Sequence, residues 1–245
     1  MKRWILPLLA LVTILGGSFA LPNALAQTPH EMPAEGTDGP HHGHHMEGSS
    51  DGAFHRRFDD AEKWAKVFDD PERDGWQKPE EVLDALHLDR AASIADIGAG
   101  TGYFAVRTAK HVPEGKVFAA DIERDMVRYL GERAGREQAA NLVPVQASAD
   151  AANLPAPVDL ILVVDTYHHI GHRVAYFTKL KSSLRPGGRL AIIDFMADSP
   201  TGPPVEHRIS PEKVTEELAA AGYALAESHD FLPRQYFLVF RAGSS

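Results

Sequence analysis

The sequence predicts an α/β fold: a three-layer, doubly wound, mostly parallel sheet with antiparallel strands at its C-terminal end. Three observations predict it. Short apolar runs alternate with segments of helical periodicity, the pattern of strands joined by crossover helices. A glycine cluster directly follows the first apolar run, where such sheets receive their ligands. The last two runs are separated only by Leu232-Pro233-Arg234-Gln235, too short for a parallel crossover, so they form an antiparallel hairpin. The chain of 245 residues, 44% hydrophobic and 24% charged, suits one α/β domain with some extra sequence.

The elements follow in order. Phe58, Ala61, Trp64, Ala65 and Phe68 recur at helical spacing, and Asp70-Pro71-Glu72-Arg73-Asp74-Gly75 breaks that helix. Pro79 suits the first turn of a second helix over 80–88. An apolar strand over 93–97 ends at Gly98. Then come a helix (103–111), a strand (116–122), a helix (124–134) and strands over 142–147 and 160–164. A helix over 173–184 leads to the turn Arg185-Pro186-Gly187-Gly188 and a strand over 189–195. A helix over 211–221 stops at Gly222, and strands over 224–231 and 236–241 close the chain.

The first residues read as an address. Met1-Lys2-Arg3 is positive, an apolar run from Trp4 to Leu15 follows, and Ala24-Leu25-Ala26 precedes Gln27. Charge, apolar stretch and small-x-small site are the order of a secretory signal peptide, here 1–26. The alternative is an uncleaved membrane anchor. The short run with Pro7, Gly16 and Gly17 favours cleavage. Either way the domain is exported, to a periplasm or beyond. Residues 27–52 are rich in Pro, Gly, His and acidic side chains with no periodic apolar face, which predicts a disordered linker. Within it His41, His42, His44 and His45 supply imidazoles suited to weak divalent-metal binding; a solvated linker explains them as well. The folded domain is 53–245.

Composition removes several classes of function. Twenty-five Lys and Arg stand against 34 Asp and Glu, a net charge of −9, and no basic run offers a field for nucleic acid. There are no cysteines, which excludes disulfide scaffolds, thiolate metal sites and cysteine nucleophiles.

The glycine loop selects the ligand. Asp96-Ile97-Gly98-Ala99-Gly100-Thr101-Gly102-Tyr103 joins a strand to a helix. A dinucleotide fingerprint needs Gly-x-Gly-x-x-Gly; here the spacing is Gly-x-Gly-x-Gly, with Tyr103 at the third glycine position. Asp96 is ill placed for a pyrophosphate and well placed for a cation. A nicotinamide oxidoreductase is therefore disfavoured. Asp121 ends the second strand, where a carboxylate accepts from ribose hydroxyls. Ser148-Ala149-Asp150 follows the third strand, with Asp150 placed to accept from an adenine amino group. Asp165-Thr166-Tyr167-His168-His169 follows the fourth.

On these residues the chain resembles the class I S-adenosylmethionine-dependent methyltransferases, over about residues 76–241. Asp96, Gly98, Gly100 and Gly102 look like the family's glycine motif, Asp121 its ribose-binding acid, Ala149 and Asp150 its adenine edge, and Asp165 the end of its fourth strand. Leu184-Arg185-Pro186-Gly187-Gly188-Arg189-Leu190 is similar to the motif before the fifth strand. The resemblance implies a Rossmann-like seven-stranded sheet with the last strand inserted antiparallel, S-adenosylmethionine as cofactor and a small-molecule acceptor. Trp76-Gln77-Lys78-Pro79 resembles the N-terminal cover of the small-molecule branch, with Gln77 at the methionine end. An Asn-Pro-Pro-Tyr type motif is absent from the fourth strand.

Methyl transfer from a sulfonium is an in-line displacement that needs an aligned nucleophile and a dry cleft. His168 and His169 stand where a base would act; strand-end residues that cap a helix or line the cofactor are the alternative. Tyr167 suits packing on the methionine arm or the acceptor, and Tyr103 suits packing. Asp194 either faces the acceptor or is an ordinary turn carboxylate. Trp64, Phe68 and Trp76 suit a cover over the acceptor pocket, although an amphipathic helix explains the first two equally. A second class of function stays open: an exported metal-binding or interaction protein that keeps the fold without activity.

Overall fold

The computed structural model describes residues 57–243. The proposed signal peptide and the histidines at 41, 42, 44 and 45 lie outside the described residues. Seven strands form one sheet: β1 (Ser93–Ile97), β2 (Lys116–Asp121), β3 (Leu142–Gln146), β4 (Val158–Val164), β5 (Leu184–Phe195), β6 (Tyr223–His229) and β7 (Gln235–Ala242). Their order is β3-β2-β1-β4-β5-β7-β6. β1 to β5 pair in parallel. β7 runs antiparallel to both β5 and β6, so the last strand is inserted, as expected. The chain reverses its direction of winding between β1 and β4, and a crevice opens there at the carboxyl ends of the strands.

Seven helices accompany the sheet: α1 (Ala61–Phe68), α2 (Arg73–Gln77), α3 (Pro79–Ala85), α4 (Tyr103–His111), α5 (Arg124–Arg136), α6 (Arg173–Leu180) and α7 (Pro211–Ala220). Strand periodicity sends alternate side chains to opposite layers. On β4, Leu160, Leu162 and Val164 join a core with Phe104 and Val106 of α4 and Leu130 of α5. Ile161 and Val163 join a second core with Phe177 of α6 and Val214 and Leu218 of α7. Each side chain of this kind, fully buried, is worth about 1.5–3 kcal/mol, and both layers together hold the sheet. The near-continuous apolar runs seen in the sequence are thus strands covered on both faces. Pro144 is tolerated in β3 because that strand is the edge.

Local signals set the helix starts. Ser210 caps α7 by accepting from the Lys213 N–H at 3.3 Å, with Pro211 in the first turn. Asp60 caps α1 in the same way at 3.1 Å. Two expectations need correction. The first helix does end where the breaker segment predicts, α1 at Phe68, but that segment also contains α2, which runs through Gly75. Its Arg73 and Gln77 are tied to distant side chains, and these tertiary bonds outweigh the low helix propensity of glycine. The Pro-Gly-Gly stretch read as a turn lies inside β5. Leu184 pairs with Val158 and Arg189 with Leu160, so the residues between them form an irregularity in one long strand.

Candidate active site

The carboxyl ends of β1, β2, β4 and β5 each deliver an aspartate: Asp96, Asp121, Asp165 and Asp194. Asp96 (3% exposed), Asp121 (7%) and Asp194 (2%) are buried. Burial pushes the Asp96 carboxyl up to about 7, the Asp121 charge adds to this, and Arg73 opposes it. Burial likewise raises Asp121, against the N–H groups of Glu123 and Gly100. Burial raises Asp165 against the pull of Arg73. Burial disfavours the charged form of each carboxyl group, and a cation placed among them would offset that cost.

The glycine loop crosses this crevice. Gly98 has φ +73°, and a side chain there would begin 2.3 Å from the Thr166 Oγ1. Only glycine fits both the left-handed backbone and that approach. The Gly100 N–H donates to Asp121 Oδ2 at 2.8 Å and the Glu123 N–H to Oδ1 at 2.9 Å. The ribose-binding acid inferred from sequence is therefore turned toward the loop and held there. Thr101, 1% exposed, has a buried Oγ1 with no hydrogen-bond partner.

Asp165 adopts φ +53°, an uncommon conformation for a residue with a side chain and one that clusters at functional sites. A buried network holds it. Arg73 Nη2 and Gln77 Nε2 both donate to Oδ2, at 2.9 and 3.0 Å, and Gln235 Nε2 donates to Oδ1. Gln77 Nε2 also donates to Gln235 Oε1 at 2.9 Å. The Arg73 guanidinium lies 4.2 Å from the Tyr103 ring centroid, with that of Arg107 4.1 Å away. Tyr103 is thus a packing residue, as expected, and its hydroxyl donates to Asp74.

The segment before β1 covers this end of the sheet. Phe68 carbons lie 3.5 Å from where a Gly100 side chain would begin. Phe58, Trp64 and Phe68 stack together on Met126. Arg133 pairs with Asp69 at 2.7 Å, and the Ala61 N–H reaches Asp125 Oδ2 at 2.6 Å. Phe68 of α1 thus rests against the glycine loop.

The turn after β4 brings His168 against Asp194. The ring Nδ1 is 2.9 Å from both carboxylate oxygens, and Asp194 also accepts from the backbone N–H of His168 (3.2 Å) and Phe195 (2.8 Å). Those contacts orient the imidazole with Nδ1 toward the carboxylate, the arrangement in which Nδ1 carries the proton. The His169 ring lies 4.2 Å from that of His168 and packs edge-on to Phe58 at 5.4 Å. Beside the dyad, Phe195 faces Trp76 at 6.0 Å. The loop after β5 is gathered around Arg208, which donates to the carbonyls of Ala197, Ser199 and Pro203 at 2.7–2.9 Å.

The structure thus brings together Gln77, Asp96, Gly98, Gly100, Gly102, Asp121, Asp165 and His168, with His169 alongside. Ala149 and Asp150 are exposed on the turn after β3, where Asp150 accepts from Ser148 Oγ at 2.9 Å and lies 3.7 Å from Lys179. Tyr167 does not face the crevice: its ring stacks on Phe177 and its hydroxyl donates to Glu217 at 2.7 Å. Arg73 and Gln235 were missed, because nothing in their local sequence marks them. Ile122, 55% exposed beside Asp121, was also missed; a large exposed apolar side chain next to a strand-end acid was the signal. Among the described residues no group of three or more His, Asp or Glu is placed to hold a metal, and no helix is long and apolar enough to cross a membrane. A surface cleft of about 510 Å³, lined by Lys110, Pro113, Gly115 and Asn141, lies at the amino ends of the strands, away from the end where such sheets bind ligands.

Residues 94–188 match the family model of a methyltransferase domain. The matched segment runs from β1 into β5 and holds the glycine loop, Asp121 and Asp165. The chain is similar to the ubiquinone/menaquinone biosynthesis C-methyltransferase UbiE of Pseudomonas putida, 35% identical over 107 residues, 42% of this chain and 41% of that protein. It is similar to the 27-O-demethylrifamycin SV methyltransferase of Amycolatopsis mediterranei, 34% identical over 121 residues, 48% of this chain and 44% of that one. The match therefore spans less than half the length of these curated relatives. A crystal structure of a SAM-dependent methyltransferase from Aquifex aeolicus superposes with a TM-score of 0.69 at 28% identity, covering 76% of this chain and 99% of that chain.

Proposed function

We propose that this protein transfers a methyl group from S-adenosylmethionine to a small-molecule acceptor. The observation that carries the reading is the set of buried aspartates around a glycine loop at the switch point of the sheet, with Asp121 hydrogen-bonded to the Gly100 N–H. The chemistry of this set fits the cofactor. Asp96, Asp165 and Gln77 suit an ammonium, and Arg73 suits the carboxylate of the same amino-acid end. Asp121 suits the ribose hydroxyls, and exposed Ile122 and Ala149 with Asp150 suit the base. S-adenosylmethionine supplies an electrophilic methyl carbon whose leaving group is a neutral thioether.

The chain's own residues do the rest. The cover excludes water once it closes over a ligand. Asp194 orients His168 and stabilises the imidazolium that forms when Nε2 takes a proton from the acceptor. The acceptor atom so freed attacks within a fixed geometry. The alternative, a fold kept without activity, gives no reason to bury Asp96 and Asp121 at a cost that a scaffold could shed by neutral substitution.

Calorimetry with sinefungin, which carries an amine in place of the methylsulfonium, tests the reading directly. Saturable binding to folded protein is expected; no heat at millimolar ligand contradicts it. The reading includes export. Residues 1–26 are proposed as a cleaved signal, and a mature N-terminus at Gln27 by mass spectrometry is the expected result. His41, His42, His44 and His45 are proposed as a weak divalent-metal binder that is separable from methyl transfer by deletion of 27–52.

A further inference from the structure

Tyr167, Tyr223 and Tyr236 are deeply buried on the α6–α7 side of the sheet. The fold gives two of them a partner. The Tyr167 hydroxyl donates to Glu217 at 2.7 Å, and the Tyr223 hydroxyl donates to the Phe177 carbonyl at 3.0 Å. The Tyr236 hydroxyl has none, although the residue is only 6% exposed. A buried hydroxyl without a partner is destabilising, and phenylalanine would fill the same space without that cost. Such an orphan at the ligand-binding end of a sheet points to a group that arrives from outside.

Its position says which group. Tyr236 stands directly opposite Asp194 in the β5–β7 register, so both side chains leave the sheet on one face. Asp194 is the carboxylate that orients His168. The acidic groups around Tyr236, Asp194 and Asp165, and its burial hold the phenol well above its ordinary pKa, with Arg173 opposing. The phenol therefore stays protonated and acts as a donor, not as a base. Next to a base, a donor matches an acceptor oxygen that loses its proton and becomes anionic. It suits an amine acceptor poorly, because it would occupy the lone pair that must attack. An imidazole base matches a ring hydroxyl far better than an aliphatic alcohol, whose proton is too tightly held. Aromatic Phe195 and Trp76 flank the same end.

We propose that the Tyr236 hydroxyl binds the oxygen of a hydroxylated aromatic acceptor in this site. The proposal rests on the methyltransferase reading above. It is tested on the purified chain saturated with sinefungin, using catechol as probe and 1,2-dimethoxybenzene as the control without hydroxyls. Tyr236→Phe is expected to weaken catechol binding by about tenfold or more, to leave dimethoxybenzene and sinefungin affinities unchanged, and to melt no lower than the native protein. Equal catechol affinity in the two proteins overturns the proposal. So does sinefungin binding with no catechol binding in the native protein. A lower melting temperature for Tyr236→Phe overturns it as well, since the hydroxyl would then have a partner within the fold. Failure of sinefungin itself to bind overturns the methyltransferase reading instead.

Discussion

Replacing Asp96 by Asn keeps the side chain's shape and removes its charge from a position only 3% exposed. The native carboxyl titrates at about 7 because of burial and the neighbouring Asp121, against about 3.9 in an unfolded chain. The native state therefore holds the proton more tightly than the unfolded state. The stabilisation this provides is complete below pH 4 and is lost as pH rises through 7. Three units correspond to about 4 kcal/mol. In the ligand-free protein, Asp96→Asn should thus match the native chain near pH 4 and exceed it by up to about 4 kcal/mol near pH 8. For a domain of this size that is a gap of roughly 8–16 °C in melting temperature. Thermal unfolding followed by circular dichroism between pH 4 and 9 measures it. Asp165 titrates in both proteins, so the difference reports Asp96 together with its coupling to Asp121. A difference that stays constant across the window refutes the reasoning. Sinefungin at pH 8 should narrow or reverse the gap, because its ammonium supplies a counter-charge to Asp96 in the native protein and meets one carboxylate fewer in the variant.

Other substitutions test other parts of the site. Gly98→Ala forces a left-handed alanine, at about 1–2 kcal/mol, onto Thr166 only 2.3 Å away, adding about 1–3 kcal/mol. Urea unfolding should show both losses, and adding Thr166→Ala should recover only the second; full recovery contradicts the backbone argument. Arg73→Met leaves Asp165 without its cation at 2.9 Å and should destabilise the protein by about 3 kcal/mol. Asp165→Asn in the same chain should restore most of that, and no recovery means the pair is not the cause. His168→Gln keeps a donor for Asp194 but no base. Labelled-methyl transfer to catechol should fall about a hundredfold or more with sinefungin affinity unchanged, and equal rates in the two proteins remove His168 from the chemistry.

Most of the fold was legible before any coordinates, because its signals are local. Apolar runs between helical segments marked all seven strands, and Pro79 marked a helix start. Gly98 announced the tight loop because its backbone conformation admits little else. Asp121 and Asp165 were legible as strand-end acids, since in this topology the carboxyl end of a strand is where a ligand lies. The relation of one strand-end group to another was not legible. His168 and Asp194 were both noticed, yet their pairing depends on the β4–β5 neighbourhood and on the turn after β4. Asp194 read equally well as an ordinary turn residue.

What the sequence by itself determined is the order and type of the elements, the glycine bend and the acids that follow the strands, since each follows from periodicity or backbone sterics within a few residues. Only the tertiary structure decided that Arg73 and Gln77 reach Asp165, that Gln235 completes their network from the far end of the domain, and that a new short helix starts at Arg73 after the break. The same holds for the strand that absorbs Pro186-Gly187-Gly188, and for the Tyr236 hydroxyl left without a partner beside Asp194. Those outcomes depend on register and on which strands become neighbours, and hydrogen bonds between residues as much as 158 positions apart leave no trace in local sequence.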